Sequence, residues 1–149
     1  MAITCQTVWK GGLAFEAQMR GHKVMLDTKD ADQGPTPKEI LLASICACSG
    51  IDVASILQKM RVHLESCVIS SETDTTTTYP SIFTEVKIIY DIKGSDIKVD
   101  QAVKAVTLSM TKYCGVSAMV VKAVPLKYEV ILNGEKVAEA FANFEGVEA

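Results

Sequence analysis

Thr36-Pro37-Lys38-Glu39-Ile40-Leu41-Leu42-Ala43-Ser44-Ile45-Cys46-Ala47-Cys48-Ser49-Gly50-Ile51-Asp52-Val53 is the stretch whose reading decides the fold. It opens as a helix start should. Thr36 stands at the N-cap, Pro37 at the first helical position, and Glu39 three residues after the threonine completes a capping box. From 40 to 60 the polar residues are few: Ser44, Ser49, Asp52, Ser55, Gln58 and Lys59. A helix apolar around most of its circumference must be covered on more than one side, so the pattern predicts a partner layer beyond one sheet, and a second subunit would supply it. The uncharged run, 40–51, is too short to span a bilayer, and Asp52 ends it.

Outward from this helix the chain reads as strands and short helices. Residues 3–10 alternate as a first strand, Gly11-Gly12 turns, and Leu13, Phe15, Ala17 and Met19 share one face of a second. Arg20-Gly21 turns the chain into a third strand, Val24-Met25-Leu26, and an Asp-, Gly- and Pro-rich loop over 30–37 delivers it to the helix. Downstream, strands over 64–72 and 82–92 flank a threonine-rich tip at 73–80. Ser95-Asp96 or Asp100 caps a second helix with Val99, Val103, Val106 and Met110 at spacings of three to four. Gly115 breaks it. A short helical piece over 117–123 and a last strand over 125–132 follow. Asn133-Gly134 then turns into a tail whose Val137, Phe141 and Phe144 fall on one helical stripe. The reading is a single α+β domain over 1–149, with 133–149 as a helical C-terminal tail.

Composition narrows the function classes. With 149 residues and 48% hydrophobic content, the chain has enough apolar material for one full core. A net charge of −3 offers no electrostatic footprint for nucleic acid or an anionic membrane surface. The first residues, Met1-Ala2-Ile3-Thr4-Cys5, lack the basic-then-apolar pattern of a signal peptide. Five cysteines are an odd number and do not form a secreted disulfide framework, so the expectation is a cytoplasmic protein with reduced thiols. His22 and His63 are the two histidines, and no zinc-type spacing is present, so neither a metal nor a cofactor is expected.

Among the cysteines, Cys5 and Cys67 sit in strand patterns that suit packing. Cys46 and Cys48 project about 200° apart on a helix, so one of them at most faces a given site. Cys114 lies in the break Lys112-Tyr113-Cys114-Gly115-Val116-Ser117, close to the start of a helical piece, where a helix N-terminus would lower its pKa.

Gly34-Pro35-Thr36-Pro37-Lys38-Glu39-Ile40-Leu41-Leu42 leading to Cys48, then Ile51-Asp52-Val53 and Ser55-Ile56-Leu57, then Lys112-Tyr113-Cys114-Gly115-Val116-Ser117, resembles the OsmC/Ohr superfamily, and within it the YhfA-like branch. The resemblance implies an OsmC-like α+β fold with antiparallel sheets, a long central apolar helix and an intertwined homodimer. It implies a thiol-dependent peroxidase acting on organic hydroperoxides or hydrogen peroxide, with Cys48 as the peroxidatic and Cys114 as the resolving cysteine. A lipoylated or thioredoxin-like protein would serve as the external dithiol reductant, with no nucleic acid or membrane partner. The better-known branches hold an arginine, fixed by a glutamate, against the reactive thiol. Here the only arginines are Arg20 and Arg61, and the family's glutamate position holds Lys38, with Glu39 one residue along. Lys38 and Glu39 are thus the possible supporting residues, and Lys112 or Arg20 of a second chain are substitute activators. The alternative is a non-catalytic relative that binds a small hydrophobic ligand at the dimer interface.

Overall fold

The helix start announced by Thr36 is the one the protein uses. In a computed structural model, which describes residues 1–145, α1 runs Pro37–Lys59. The Thr36 N–H and hydroxyl donate to Glu39 Oε2 at 2.7 and 3.1 Å, and the Glu39 N–H returns a bond to Thr36 Oγ1 at 3.4 Å. Two orphan donors of the first turn are thereby satisfied. These bonds, the backbone one first, hold the Glu39 carboxyl below its ordinary range.

The chain divides into two compact units, Met1–Leu42 and Ala43–Ala149. In the first, β1 (Gln6–Trp9), β2 (Phe15–Met19) and β3 (His22–Leu26) form an antiparallel meander. The buried Asp27 carboxylate accepts the N–H groups of Thr28 at 2.7 Å and Gln33 at 3.2 Å, which folds the following loop back on itself. Gly34 closes that loop because a Cβ there would overlap the Met25 carbonyl. Its place in the quoted motif therefore has a steric cause.

In the second unit a four-stranded sheet takes the order β4-β5-β6-β7, from β4 (Ser66–Thr75), β5 (Phe83–Lys93), β6 (Leu126–Leu132) and β7 (Glu135–Phe141). Two expectations are corrected. The sheet is not wholly antiparallel: β5 and β6 run parallel, Val86 opposite Leu126 through Ile92 opposite Leu132, because the chain between them crosses over through helices, as a parallel pair requires. The tail is not helical either. Through Phe141 it is β7, antiparallel to β6, and residues 146–149 of the expected helix lie outside the described residues.

On one face of the sheet Val86, Ile88, Tyr90 and Ile92 of β5 alternate with buried Leu126, Tyr128, Val130 and Leu132 of β6, and Tyr90 meets Tyr128 edge-on at 6.3 Å. The opposite face carries a charge ladder: Lys87 with Glu72 at 3.7 Å and Glu129 at 3.1 Å, and Lys127 with Glu139 at 2.7 Å. α1 approaches β4 closely, since a Cβ on Gly50 would sit 3.0 Å from Ile69 Cδ1.

α2 (Val99–Leu108) starts between the two expected caps, after Asp96 and before Asp100. Its N-cap is Lys98, whose N–H donates to Gln101 Oε1 at 2.9 Å. Asp96 is engaged elsewhere, accepting the His63 N–H at 3.0 and 3.2 Å. Before the break expected at Gly115 the helix widens into a π-turn, Ser109–Tyr113, closed by a bond from the Cys114 N–H to the Ser109 carbonyl at 2.9 Å. Cys114 then turns extended and caps α3 (Gly115–Val120).

Candidate thiol site

Two elements of the second unit bring the sequence-distant cysteines together. α1 carries Cys48, half-buried, on the turn before Asp52. The π-turn carries Cys114 into the interior, where it is fully buried. Their thiols lie close enough to act on one another: Cys48 raises the Cys114 pKa. Both are free thiols.

Burial is the largest influence on Cys114 and pushes its thiol up to about 11. Ser117 opposes this. Its N–H reaches Cys114 Sγ at 3.4 Å and its hydroxyl stands 3.0 Å from the same sulfur. The Cys114 thiol is the donor in that contact, and both contacts with Ser117 favour the thiolate, which lowers the thiol's pKa. The expected lowering by a helix start is therefore present but outweighed. A thiol that keeps its proton to about 11 is uncharged at neutral pH.

The other named residues fall elsewhere. Cys46, half-buried on α1, acts on the Tyr90 phenol, as Cys114 does more strongly. Glu39 is occupied by the capping box, and Lys38 is exposed on the first turn of α1. Lys112 lies over the Tyr113 ring, 5.3 Å from its centroid, and Arg20 is exposed in the β2–β3 turn. Cys67 is pushed up by burial and then by the Asp91 charge. Among the described residues, no group of three or more His, Cys, Asp or Glu is placed to hold a metal ion.

Sequence reasoning missed a buried polar chain beside the thiols. Ser49, next to Cys48, stands 2.6 Å from the Tyr90 hydroxyl and 2.8 Å from Ser109 Oγ, and Ser109 donates to Asp52 Oδ2 at 2.9 Å. Burial drives the Tyr90 phenol well above its ordinary value, only partly offset by Ser49. The one signal available in sequence was a serine in the middle of an apolar helix, where a hydroxyl without a partner is costly. Asp52 also lines an open groove of about 410 Å³, together with Ile51, Ile56, Met60, Lys104 and Leu108.

Comparison with known proteins gives one consistent result. Residues 29–129 match the family described as OsmC-like protein. YhfA of Escherichia coli (strain K12) is 36% identical over 126 residues, which is 83% of this chain and 94% of YhfA. A hypothetical protein from Aquifex aeolicus VF5 superposes with a TM-score of 0.79 at 28% identity, covering 89% of this chain and 98% of its own. An organic hydroperoxide resistance protein from Elizabethkingia anophelis shares the fold at 13% identity, with a TM-score of 0.68 over 89% of this chain and 99% of its own. On the match over 29–129 and the 36% identity to YhfA, this chain belongs to the OsmC-like family.

Proposed function

We propose that this protein is a thiol-dependent peroxidase that reduces organic hydroperoxides, with Cys48 as the attacking and Cys114 as the resolving thiol. The observation that carries the reading is that a half-buried thiol and a fully buried one, reached from two different elements, act on one another. The chemistry balances in three steps. The Cys48 thiolate attacks the terminal peroxide oxygen, the O–O bond breaks leaving a sulfenic acid on Cys48, and the departing alkoxide takes up the proton that the thiol released to become an alcohol. Cys114 attacks that sulfur, its proton joins the departing hydroxide as water, and a disulfide forms. An external dithiol, on a lipoylated or thioredoxin-like protein, reduces the disulfide and is itself oxidised. The reducing cytoplasm suits such a cycle.

The reading includes a homodimer. α1 is long and apolar enough by length and composition to cross a membrane, yet only 22% of its most apolar stretch is buried, and Ile51 is 71% exposed. Ser49 and Asp52 of the same helix are hydrogen-bonded into the second unit. This suits a helix that a second copy covers. The same uncovered face and the groove lined by Ile51, Ile56, Met60 and Leu108 favour a second reading, a relative that binds a small hydrophobic molecule without turnover.

Peroxide consumption separates the two. Cys48→Ser should abolish turnover of cumene hydroperoxide with dithiothreitol, and Cys114→Ser should give one turnover and stop at sulfenic acid, trapped with dimedone. Consumption at wild-type rate by Cys48→Ser would remove the enzyme reading.

A further inference from the structure

Asp52 is the nearest carboxylate to Cys48 along α1, and nothing in the peroxidase reading so far uses it. Four residues separate the two positions, so they lie on one helix face a turn apart, with Cβ atoms about 5–6 Å from one another. The rest of a ring closes around the same point. Ser109 donates to Asp52 Oδ2 at 2.9 Å, the Ser109 carbonyl accepts the Cys114 N–H at 2.9 Å, and Cys48 acts on the Cys114 thiol.

The direction of the hydrogen bonds is fixed by the carboxylate, which only accepts. Ser109 spends its hydrogen on Asp52, so across 2.8 Å it accepts from Ser49. Ser49 has then spent its own, and across 2.6 Å it accepts from the Tyr90 phenol. Every donor in this chain points toward Asp52 Oδ2. Oδ1 takes no bond among the described residues, and Asp52 lines the groove of about 410 Å³. The charged and titratable groups sharing that groove are Lys59, Lys104 and Tyr113. Cys48, Cys114 and Tyr90 are the titratable groups that act on one another beside the hydrogen-bonded chain.

We infer that Asp52 is the proton-transfer group of the peroxide step, held in place by Ser109, in a chain that lacks the arginine of the better-known branches. The inference rests on the peroxidase reading and deepens it. The proton of the Cys48 thiol passes to Asp52 Oδ1, the sulfur pair attacks the terminal oxygen, and the O–O bond breaks. The leaving alkoxide takes the proton back from Asp52. Thiol and hydroperoxide become sulfenic acid and alcohol, and the carboxylate is regenerated. Ser109 is a positioning residue in this scheme.

The test uses the full reduced protein with cumene hydroperoxide, comparing wild type, Asp52→Asn, Asp52→Glu and Ser109→Ala. Asparagine still accepts from Ser109, so the fold keeps that bond while the proton acceptor is lost. Asp52→Asn should slow the peroxide step about 100-fold or more, the range of a positioned acid-base group. Asp52→Glu should recover part of the rate, and Ser109→Ala should lose several-fold. In all of them the alkylation of Cys48 by iodoacetamide at high pH should stay within twofold of wild type. A merely structural role would move that alkylation rate with the turnover rate, and that result overturns the inference. Wild-type turnover together with an Asp52→Asn rate within twofold of it overturns the inference alone. A wild-type protein that consumes no peroxide overturns the peroxidase reading and the inference with it.

Discussion

Replacing Cys114 by alanine should flatten part of the alkaline pH dependence of stability. In the folded chain the thiol is fully buried and holds its proton to about 11, against 9.0 for the ordinary thiol. Between those two values the unfolded chain has lost the proton and the folded chain has kept it. The folded state binds more protons, so stability must fall as pH rises through this window. The stabilisation is complete below about pH 9 and is gone above about pH 11. A separation of about two units corresponds to roughly 3 kcal/mol. The assay is urea denaturation at fixed protein concentration, with wild type and Cys114→Ala measured at several pH values from 7 to 11. Alanine shifts the baseline at every pH, because it also removes packing and leaves the Ser117 N–H short of an acceptor. Only the change of the difference with pH is diagnostic. Tyr90 is raised by burial first and by the Cys114 charge as well, so its titration does not cancel and is removed by repeating the comparison in a Tyr90→Phe background. A wild-type minus variant difference that stays constant from pH 8 to 11 would refute the placement of Cys114 as a buried, protonated thiol.

Two further outcomes follow from the interior. Ser49→Ala leaves the Tyr90 phenol buried with no partner and should cost about 1–3 kcal/mol in urea denaturation, whereas Ser49→Ala/Tyr90→Phe should cost less than the two single changes added. Strict additivity would mean that the bond across 2.6 Å is not made. Gly34→Ala forces a Cβ onto the Met25 carbonyl and should destabilise the first unit by roughly 1–3 kcal/mol, seen as earlier proteolysis within Met1–Leu42. Unchanged cleavage would show that the loop has room.

Local signals were legible where a single residue type had a single physical use. Thr36, Pro37 and Glu39 announced the start of α1 because a capping box depends on three residues and on nothing distant. Turns were equally plain at Arg20-Gly21 and Asn133-Gly134, where the backbone takes positive φ at 49° and 83°, then 49° and 86°. The tail was misread because Val137 and Phe141 are four apart, a spacing that fits a helix turn and also one face of a strand. Pairing with β6 decided for the strand. The cap of α2 was misplaced because Asp96 is drawn away by the His63 N–H, a contact 33 residues distant in sequence. In the site, Cys48 and Cys114 stood out by resemblance. Ser49, Tyr90, Ser109 and Asp52 did not, since a buried hydrogen-bond chain is written in pairings across elements that no local period reports.

The account turns on two sulfurs reacting with one another through a peroxide. The most direct measurement treats the fully reduced protein with one equivalent of cumene hydroperoxide, quenches with an alkylating agent, and maps the cross-links by tandem mass spectrometry of the digest. The account predicts one intramolecular disulfide, Cys48 to Cys114, with Cys5, Cys46 and Cys67 recovered as alkylated thiols. Recovery of Cys48 as an unmodified thiol, or a disulfide that joins Cys114 to Cys46 instead, would contradict it.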